Sequence, residues 1–148
     1  MQLTKNFFLH EFITSPTALR IGINNYPDEK AVKNLKRLYE KVLQPVRDHF
    51  QKPVVITSGY RSSLLNKHVG GVPNSQHTTG EAADFYIPGV DNLKVANWIK
   101  DNLTFDQLIL EYYQGGNSGW IHVSYSDNNR KQVLTITYSG RYYGLRGA

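Results

Sequence analysis

Hydrophobic residues recur at three- and four-residue steps after Pro27, and this spacing predicts an amphipathic helix. The apolar positions of this helix are Ala31, Leu35, Leu38, Val42, Val46 and Phe50. Asp28 stands just before them and is a residue type that caps helix N-termini. Because Pro45 lacks a backbone N–H and lies inside the pattern, we predict that the helix kinks or divides near its end.

We expect the start of the chain (7–25) to be irregular with one short helix. The residues after the long helix form short apolar runs and one further amphipathic segment. The predicted elements are a strand over 53–57, a short helix over 62–68, a polar loop over 72–80, a strand over 82–87, a helix over 91–103, and strands over 107–113, 120–125 and 133–138. A Gly-rich loop at 114–119 predicts a hairpin. Helices and strands in this mixed order, with a terminal meander, predict the α+β class.

The chain has 148 residues, the size of one domain with one core, so we expect residues 1–148 to form a single domain. It has no cysteine, and any bound metal must therefore be held by nitrogen and oxygen ligands. The formal net charge of +5 favours anionic partners, although it also serves solubility alone. No apolar run is long enough to span a membrane, and the first residues lack the pattern of a signal peptide.

Asp84 is a carboxylate inside an otherwise apolar strand, where burial is costly unless something neutralises its charge. A metal ion, an arginine or a set of backbone donors would each do so. Strand alternation places Asp84 on the face opposite Phe85. Gly80 permits a tight turn, through which His77 can converge on Asp84.

His122 lies on the strand 120–125, on the same face as Trp120. With His77 and Asp84 it completes a set of two histidines and one carboxylate, and such a set with an open fourth position suits catalytic zinc. The same set holds iron in some oxygenases, but the carboxylate spacing here does not follow that pattern.

Glu111 is the candidate general base. If the hairpin is symmetric about its loop, Glu111 lies directly opposite His122, with about 4.5–5.5 Å between their Cβ atoms. A carboxylate there could take a proton from water at the metal and pass it to the leaving amine. A one-residue slip would instead turn Glu111 to the other face and leave a surface glutamate at a hairpin end.

Arg61 follows a buried strand and begins a helix. Its guanidinium could bind a substrate carboxylate or stabilise an oxyanion, although an ordinary surface arginine is the default for such a position taken alone. Three further histidines are weaker candidates: His10, His49, and His68, which is the substitute ligand closest in sequence to His77.

Three motifs resemble the zinc D-alanyl-D-alanine carboxypeptidase family, which includes vancomycin-resistance dipeptidases and phage endolysins and shares its fold with the signalling domain of hedgehog proteins. They are T-S-G-Y-R at 57–61, S-x-H-x-x-G-x-A-x-D at 75–84 and W-I-H-V-S at 120–124. The segments F-L-H-E-F (8–12) and L-Q-P-V-R (43–47) resemble its small single-domain viral and bacterial branch. The resemblance implies a hedgehog/DD-peptidase-like α+β fold, with helices packed on a central antiparallel sheet.

The resemblance implies one zinc ion whose ligands are His77, Asp84 and His122. It implies that Arg61 stabilises the transition state or holds the substrate carboxylate, and that Ser75 lies in the substrate pocket, where we expect Trp120 to contact the substrate as well. The implied substrates are peptidoglycan stem peptides containing D-amino acids, cut by a D,D-carboxypeptidase or an endopeptidase of the endolysin type.

The sequence departs from the family at one position. In much of the family the catalytic acid lies three residues before the last histidine, where this chain has Gly119. We therefore assign the role of general base to Glu111 and keep Asp106 and Glu81 as reserves.

The glycine at position 119 also favours a second hypothesis, a non-catalytic zinc-containing module of the same fold that binds wall peptides or another protein. A nucleic-acid-binding domain has only the net charge in its favour, since no clustered face of Lys, Arg and aromatic residues is evident, and we expect no nucleic-acid partner. We expect a monomer that is made in the cytoplasm and reaches the cell wall through release or export by another factor.

Overall fold

A computed structural model describes residues 1–147, and all structural statements below refer to this part of the chain. Its elements in chain order are β1 (Gln2–Thr4), β2 (Phe7–Phe8), α1 (His10–Ile13), α2 (Pro16–Ile21), α3 (Glu29–Leu38), α4 (Gln44–Phe50), β3 (Val55–Ser58), α5 (Ser63–His68), β4 (Ala82–Tyr86), α6 (Asn92–Asn102), β5 (Gln107–Glu111), β6 (Trp120–Ser124), β7 (Gln132–Thr137) and β8 (Gly140–Tyr143). A π-helical turn (Tyr39–Leu43) joins α3 to α4, and a 3-10 turn (Gln76–Thr79) precedes β4.

The predicted α+β class is confirmed by a six-stranded sheet in the order β3-β4-β6-β5-β7-β8 with helices packed on it. Its neighbours run antiparallel except β5 and β7, which are parallel, so the sheet is mixed and the expected terminal meander is wrong. The physical reason is that β4 and β5 already occupy both edges of β6. Strand β7 therefore joins the free edge of β5, and β8, which the sequence did not predict, closes that side.

The long helix after Pro27 forms, but a π-helical turn interrupts it. Asp28 caps its N-terminus by accepting a hydrogen bond from the Ala31 N–H over 2.8 Å. Pro45 has no N–H to donate, and its ring crowds the carbonyl four residues earlier. The wider turn at 39–43 relieves this conflict and lets α4 continue, which is the predicted division of the helix.

The N-terminal residues are more regular than expected. They form a two-stranded sheet (β1 and β2) and two short helices instead of irregular chain with one helix. Phe12 of α1 stacks on Tyr39, with 3.7 Å between the ring centroids, and this contact ties the segment to the helix that follows.

The two faces of the sheet differ in polarity. On β4, Ala83 and Phe85 are fully buried in the hydrophobic core, and on β6 so are Ile121 and Val123. Asp84, between two of them, points to the other face, as the predicted alternation requires. None of the helices in residues 1–147 has the length and apolar character needed to cross a bilayer.

Candidate metal centre and active-site pocket

Three side chains that are distant in sequence converge on the polar face of the sheet. Asp84 Oδ1 lies 2.9 Å from His122 Nδ1, and Asp84 Oδ2 lies 3.4 Å from His77 Nε2. One ligand atom from each of the three residues lies within 4.8 Å of the others. The structure thus brings together the two imidazoles and the carboxylate that the sequence singled out.

Sheet register positions two of the three groups. Asp84 of β4 and His122 of β6 are direct cross-strand partners, so their side chains leave the same face of the sheet side by side. The apolar neighbours of both residues point into the core and anchor the two strands against the helices. The Asp84–His122 contact is therefore a consequence of strand pairing and does not depend on a mobile loop.

His77 reaches the same point from the 3-10 turn before β4. Ser75 caps this turn, because its Oγ accepts a hydrogen bond from the His77 N–H. Gly80 ends the turn with a φ of 77°, and a Cβ at this position would lie 2.4 Å from the carbonyl oxygen of Ala31. Only glycine allows the chain to turn there while packed against α3, and the tight turn predicted at Gly80 is present.

The ring of His77 is held in one orientation. Its Nδ1 lies 2.7 Å from the carbonyl oxygen of Gly59, which can only accept a hydrogen bond, so Nδ1 carries the proton. The lone pair of Nε2 then faces Asp84, which is the arrangement of a metal-binding histidine with its second nitrogen anchored on a carbonyl. Gly59 is itself pressed against Phe12, since a Cβ on Gly59 would lie 2.6 Å from the Phe12 carbonyl oxygen.

Electrostatics couples these groups. Burial alone would raise the pKa of Asp84, but its interactions with His77 and His122 hold it well below its usual range. Burial alone would lower the pKa of His122, but the hydrogen bond to Asp84 together with the negative charges of Asp84 and Glu111 outweighs this effect and raises that pKa. A buried carboxylate that needs two imidazoles as partners, with no thiolate in the chain, fits the nitrogen and oxygen ligand set of a zinc ion.

A cavity of about 430 Å³ opens in front of this cluster. Its lining includes Arg61, Ser75, Glu111, Trp120 and Arg130, together with the three clustered residues. We call it the active-site pocket. Four of these five residues were predicted as catalytic or substrate-contacting, whereas Arg130 was not.

Glu111 lies in the active-site pocket, but its predicted pairing is wrong. Its cross-strand partner is Trp120, and the residue opposite His122 is Ile109. Tyr112 leaves the strand with a φ of 55°, so the loop spans residues 112–119 instead of 114–119. The resulting shift is two residues, which preserves the face, and Glu111 is diagonal to His122.

The carboxylate of Glu111 is held by its neighbour and perturbed by its surroundings. Trp120 Nε1–H donates a hydrogen bond to Glu111 Oε2 over 2.8 Å. Burial, followed by the negative charge of Asp84, raises the pKa of Glu111, while His122, Trp120 and Arg61 oppose this rise. A carboxylate with a raised pKa beside a metal centre is a typical proton-transfer group.

Steric contacts explain why position 119 carries no acid. Gly119 has a φ of 66°, and a Cβ there would lie 1.9 Å from the carbonyl oxygen of Glu111. No side chain fits at this position without moving the backbone of β5. Besides Asp84, the pocket is lined by the carboxylate of Glu111, on the neighbouring strand.

Arg61 lies on the α5 side of the active-site pocket. The backbone N–H of Arg61 donates a hydrogen bond to the His77 carbonyl oxygen over 3.0 Å. In the side chain, Nη1 donates to Asn66 Oδ1 over 3.1 Å. Its Nε is buried and has no hydrogen-bond partner among the described residues. Burial lowers the pKa of this guanidinium, while Asp84 and Glu111 oppose that effect. The Arg61 side chain lines the pocket, where a guanidinium suits a substrate oxygen.

The reserve acids lie elsewhere or are occupied. Asp106 is buried and accepts hydrogen bonds from Gln76 and Arg130, which lower its pKa and remove it from proton transfer. Glu81 lines a different cavity, beside Asp127. The three weaker histidine candidates, His10, His49 and His68, are exposed, and the metal-competent group found in residues 1–147 contains none of them.

Arg130 is a charged pocket residue that the sequence did not reveal. It lies in the loop between β6 and β7 and pairs with Asp106, 24 residues earlier. No local pattern marks such a contact, because it depends on how β5 and β7 meet.

Comparison with protein-family models gives a match over most of the chain. A family model described as Peptidase M15 matches residues 5–124 of the chain. The matched stretch contains the clustered triad, Arg61, Ser75, Glu111 and Trp120, and it ends before Arg130. In the comparison with curated proteins, none matches the chain.

Proposed function

Because the chain belongs to peptidase family M15, whose members are zinc-dependent peptidases, we propose that it hydrolyses amide bonds in peptidoglycan peptides that contain D-amino acids. The observation that supports this proposal best is the meeting of His77, Asp84 and His122 in a pocket that also contains Glu111. We include in the proposal a single ion per chain, a monomer, and one domain over residues 1–148.

The ligand set supports one zinc ion held by the two imidazoles and the carboxylate. Bound zinc would supply Lewis acidity, which makes water acidic near neutral pH and polarises a scissile carbonyl. His77 enters with its tautomer fixed by the Gly59 carbonyl, and Asp84 keeps His122 aligned through a 2.9 Å contact. These residues therefore need little rearrangement to hold a cation.

Glu111 moves the proton in the proposed mechanism. As water attacks the carbonyl carbon, the Glu111 carboxylate accepts its proton, and the same group then donates that proton to the leaving amine nitrogen. The hydrogen bond from Trp120 holds one carboxylate oxygen, so the other remains available to the reacting water. The raised pKa of Glu111 suits both halves of this cycle, because the group must take and give a proton near neutral pH.

Arg61 binds the oxygen on which negative charge develops, or the terminal carboxylate of the substrate. Its Nη1 is fixed by Asn66, and its buried Nε has no partner among residues 1–147. As a residue of the pocket wall, Arg61 can donate its remaining terminal N–H groups to such an oxygen. Ser75 and Trp120 also line the pocket.

A non-catalytic binding module of the same fold is the second candidate, and the glycine at position 119 is the observation in its favour. The packing at Gly119 weakens this argument, since the backbone there excludes any side chain and Glu111 occupies the pocket instead. The two candidates differ in one outcome, the release of product.

Mass spectrometry of defined wall peptides decides between them. The zinc-loaded protein is incubated with peptides that present a terminal D-Ala-D-Ala, a cross-link, or an L-Ala–D-Glu bond, and the products identify the bond. We expect cleavage of at least one of these bonds. Intact peptides in the presence of one bound zinc per chain would leave the binding module as the function.

A further inference from the structure

Arg130 lies at one end of the active-site pocket, and the chemistry described so far does not use it. Its Nε donates to Asp106 Oδ1 over 2.8 Å and its Nη2 donates to Oδ2 over 3.0 Å. The backbone N–H of Arg130 also donates to Oδ1, over 3.0 Å. Three contacts to one carboxylate thus fix both the position and the plane of the guanidinium.

The two charges of this pair are unequally exposed. The Asp106 side chain is 4% exposed, whereas that of Arg130 is 54% exposed. Gln76 covers the carboxylate further, because its Nε2 donates to Oδ2 over 2.8 Å. The anion is therefore inside the protein and the cation faces the pocket, although the pair is neutral as a whole.

The guanidinium retains unused donors that point away from Asp106. An arginine has five N–H donors, and Asp106 takes the one on Nε and one on Nη2. The other three have no partner within residues 1–147, and they include one N–H on each terminal nitrogen in a parallel fork. Such a fork matches the two oxygens of a carboxylate.

Sheet geometry gives the distance between this fork and the metal centre. On β5 the pocket-facing residues are Glu111, Ile109 and Gln107, and Ile109 is opposite His122. Gln107 is two residues from Ile109 along β5, which corresponds to about 7 Å. The next residue is Asp106, to which Arg130 is bound. An extended peptide covers about 3.3–3.6 Å per residue, so the fork lies about two or three residues from a bond held at the metal centre.

We infer that Arg130 binds a second carboxylate of the peptide substrate, two or three residues from the scissile bond, and so selects acidic wall peptides over their amidated forms. This inference rests on the proposed function, because it names the substrate class of the same pocket. It assigns Arg130 to substrate selection and leaves bond cleavage to the residues around the metal centre. Arg130 is also beyond the stretch that the family model matches.

Two peptides test the inference, one with a free α-carboxylate on its D-Glu residue and one with that group converted to an amide. For the wild-type protein we expect KM to be about tenfold lower for the free acid, with similar kcat, as one charged hydrogen-bonded pair predicts. Arg130→Ala removes this preference. Arg130→Lys, which keeps the charge but loses the fork, retains part of it.

Arg141→Ala is the matched control, since Arg141 is an exposed cation on β8 at the far edge of the sheet. This variant keeps the wild-type preference. Arg130→Ala leaves Asp106 buried without its partner and lowers stability. The quantity compared is therefore the ratio of the kinetic constants of one variant on the two peptides. A loss of folded protein affects both rates equally and cancels in the ratio.

A titration separates failure of this inference from failure of the proposed function. The zinc-loaded Glu111→Gln variant is titrated calorimetrically with both peptides, and we expect tighter binding of the free acid. If the wild-type protein cuts both peptides with equal KM, the inference is wrong and the proposed function stands. If neither peptide is cut but the titration shows the preference, the proposed function is wrong and the subsite stands. Equal binding in the titration overturns the inference in either case.

Discussion

The indole N–H of Trp120 donates a hydrogen bond to Glu111 Oε2 over 2.8 Å, and the two residues are direct cross-strand partners. This relationship gives Glu111, the proposed general base, a fixed position beside the candidate metal centre without a residue at the family's usual position. Because a hydrogen bond to the charged form favours that form, the indole also limits how far burial raises the pKa of Glu111.

Glu111→Gln removes the proton acceptor and keeps the shape of the side chain. We expect turnover to fall by roughly 10²–10⁴-fold, with zinc content unchanged. The matched control is Glu81→Gln, the same substitution in a carboxylate that lines a different cavity, and it should have wild-type turnover. Near-normal activity of Glu111→Gln would remove Glu111 from the mechanism.

Trp120→Phe removes the indole N–H and keeps an aromatic ring. The pKa of Glu111, already above its ordinary value because of burial, should rise further, since the variant loses a hydrogen bond that favours the carboxylate. The acid limb of the kcat/KM profile therefore moves to higher pH. Trp98→Phe, in the only other tryptophan of the chain, should leave that limb in place. An unmoved acid limb in Trp120→Phe would contradict the proposed coupling.

Glu111→Gln should also stabilise the metal-free protein. Because the folded-state pKa of Glu111 is raised, mainly by burial, the charged carboxylate costs stability at any pH above that pKa, and the cost disappears below the unfolded value near 4.5. We expect a higher melting temperature than that of the wild type at pH 7. Thermal scans in chelator should show the difference vanish at pH 4; a difference that persists there would have another origin.

Gly119→Ala tests the explanation for the missing acid. The new Cβ meets the Glu111 carbonyl oxygen in a backbone conformation that alanine avoids, so we expect a loss of about 2 kcal/mol or more. Gly115→Ala is the matched control, because its φ of 99° carries a conformational cost but nothing lies within 4 Å of the added atom. Denaturant unfolding measures both, and equal losses would show that contact with β5 does not restrict position 119.

The metal cluster was predictable because its signals are local. A carboxylate between Ala83 and Phe85 contradicts the apolar character of its strand, and alternation fixes the face it leaves by. His77 and His122 then complete a ligand set whose chemistry is specific. The strand pairing that joins Asp84 to His122 was not needed to predict that these three side chains meet.

The register of the hairpin and the contact between Arg130 and Asp106 could not be predicted from local sequence patterns. The register depends on Tyr112, which adopts a left-handed backbone conformation that is rare for tyrosine, and no sequence pattern predicts this conformation. The Arg130 contact depends on β7 running parallel to β5, which places the residues just before the two strands together. Hydrophobic alternation identifies a strand and its faces but contains no information about its direction or its partner.

We propose that His77, Asp84 and His122 together hold one zinc ion in front of Glu111. A crystal structure of the zinc-loaded protein, with anomalous data on both sides of the zinc absorption edge, locates this ion. We expect one strong peak per chain within bonding distance of His77 Nε2, an Asp84 carboxylate oxygen and His122 Nδ1. A peak bound to other residues, or these three side chains pointing apart in a fully zinc-loaded protein, would contradict it.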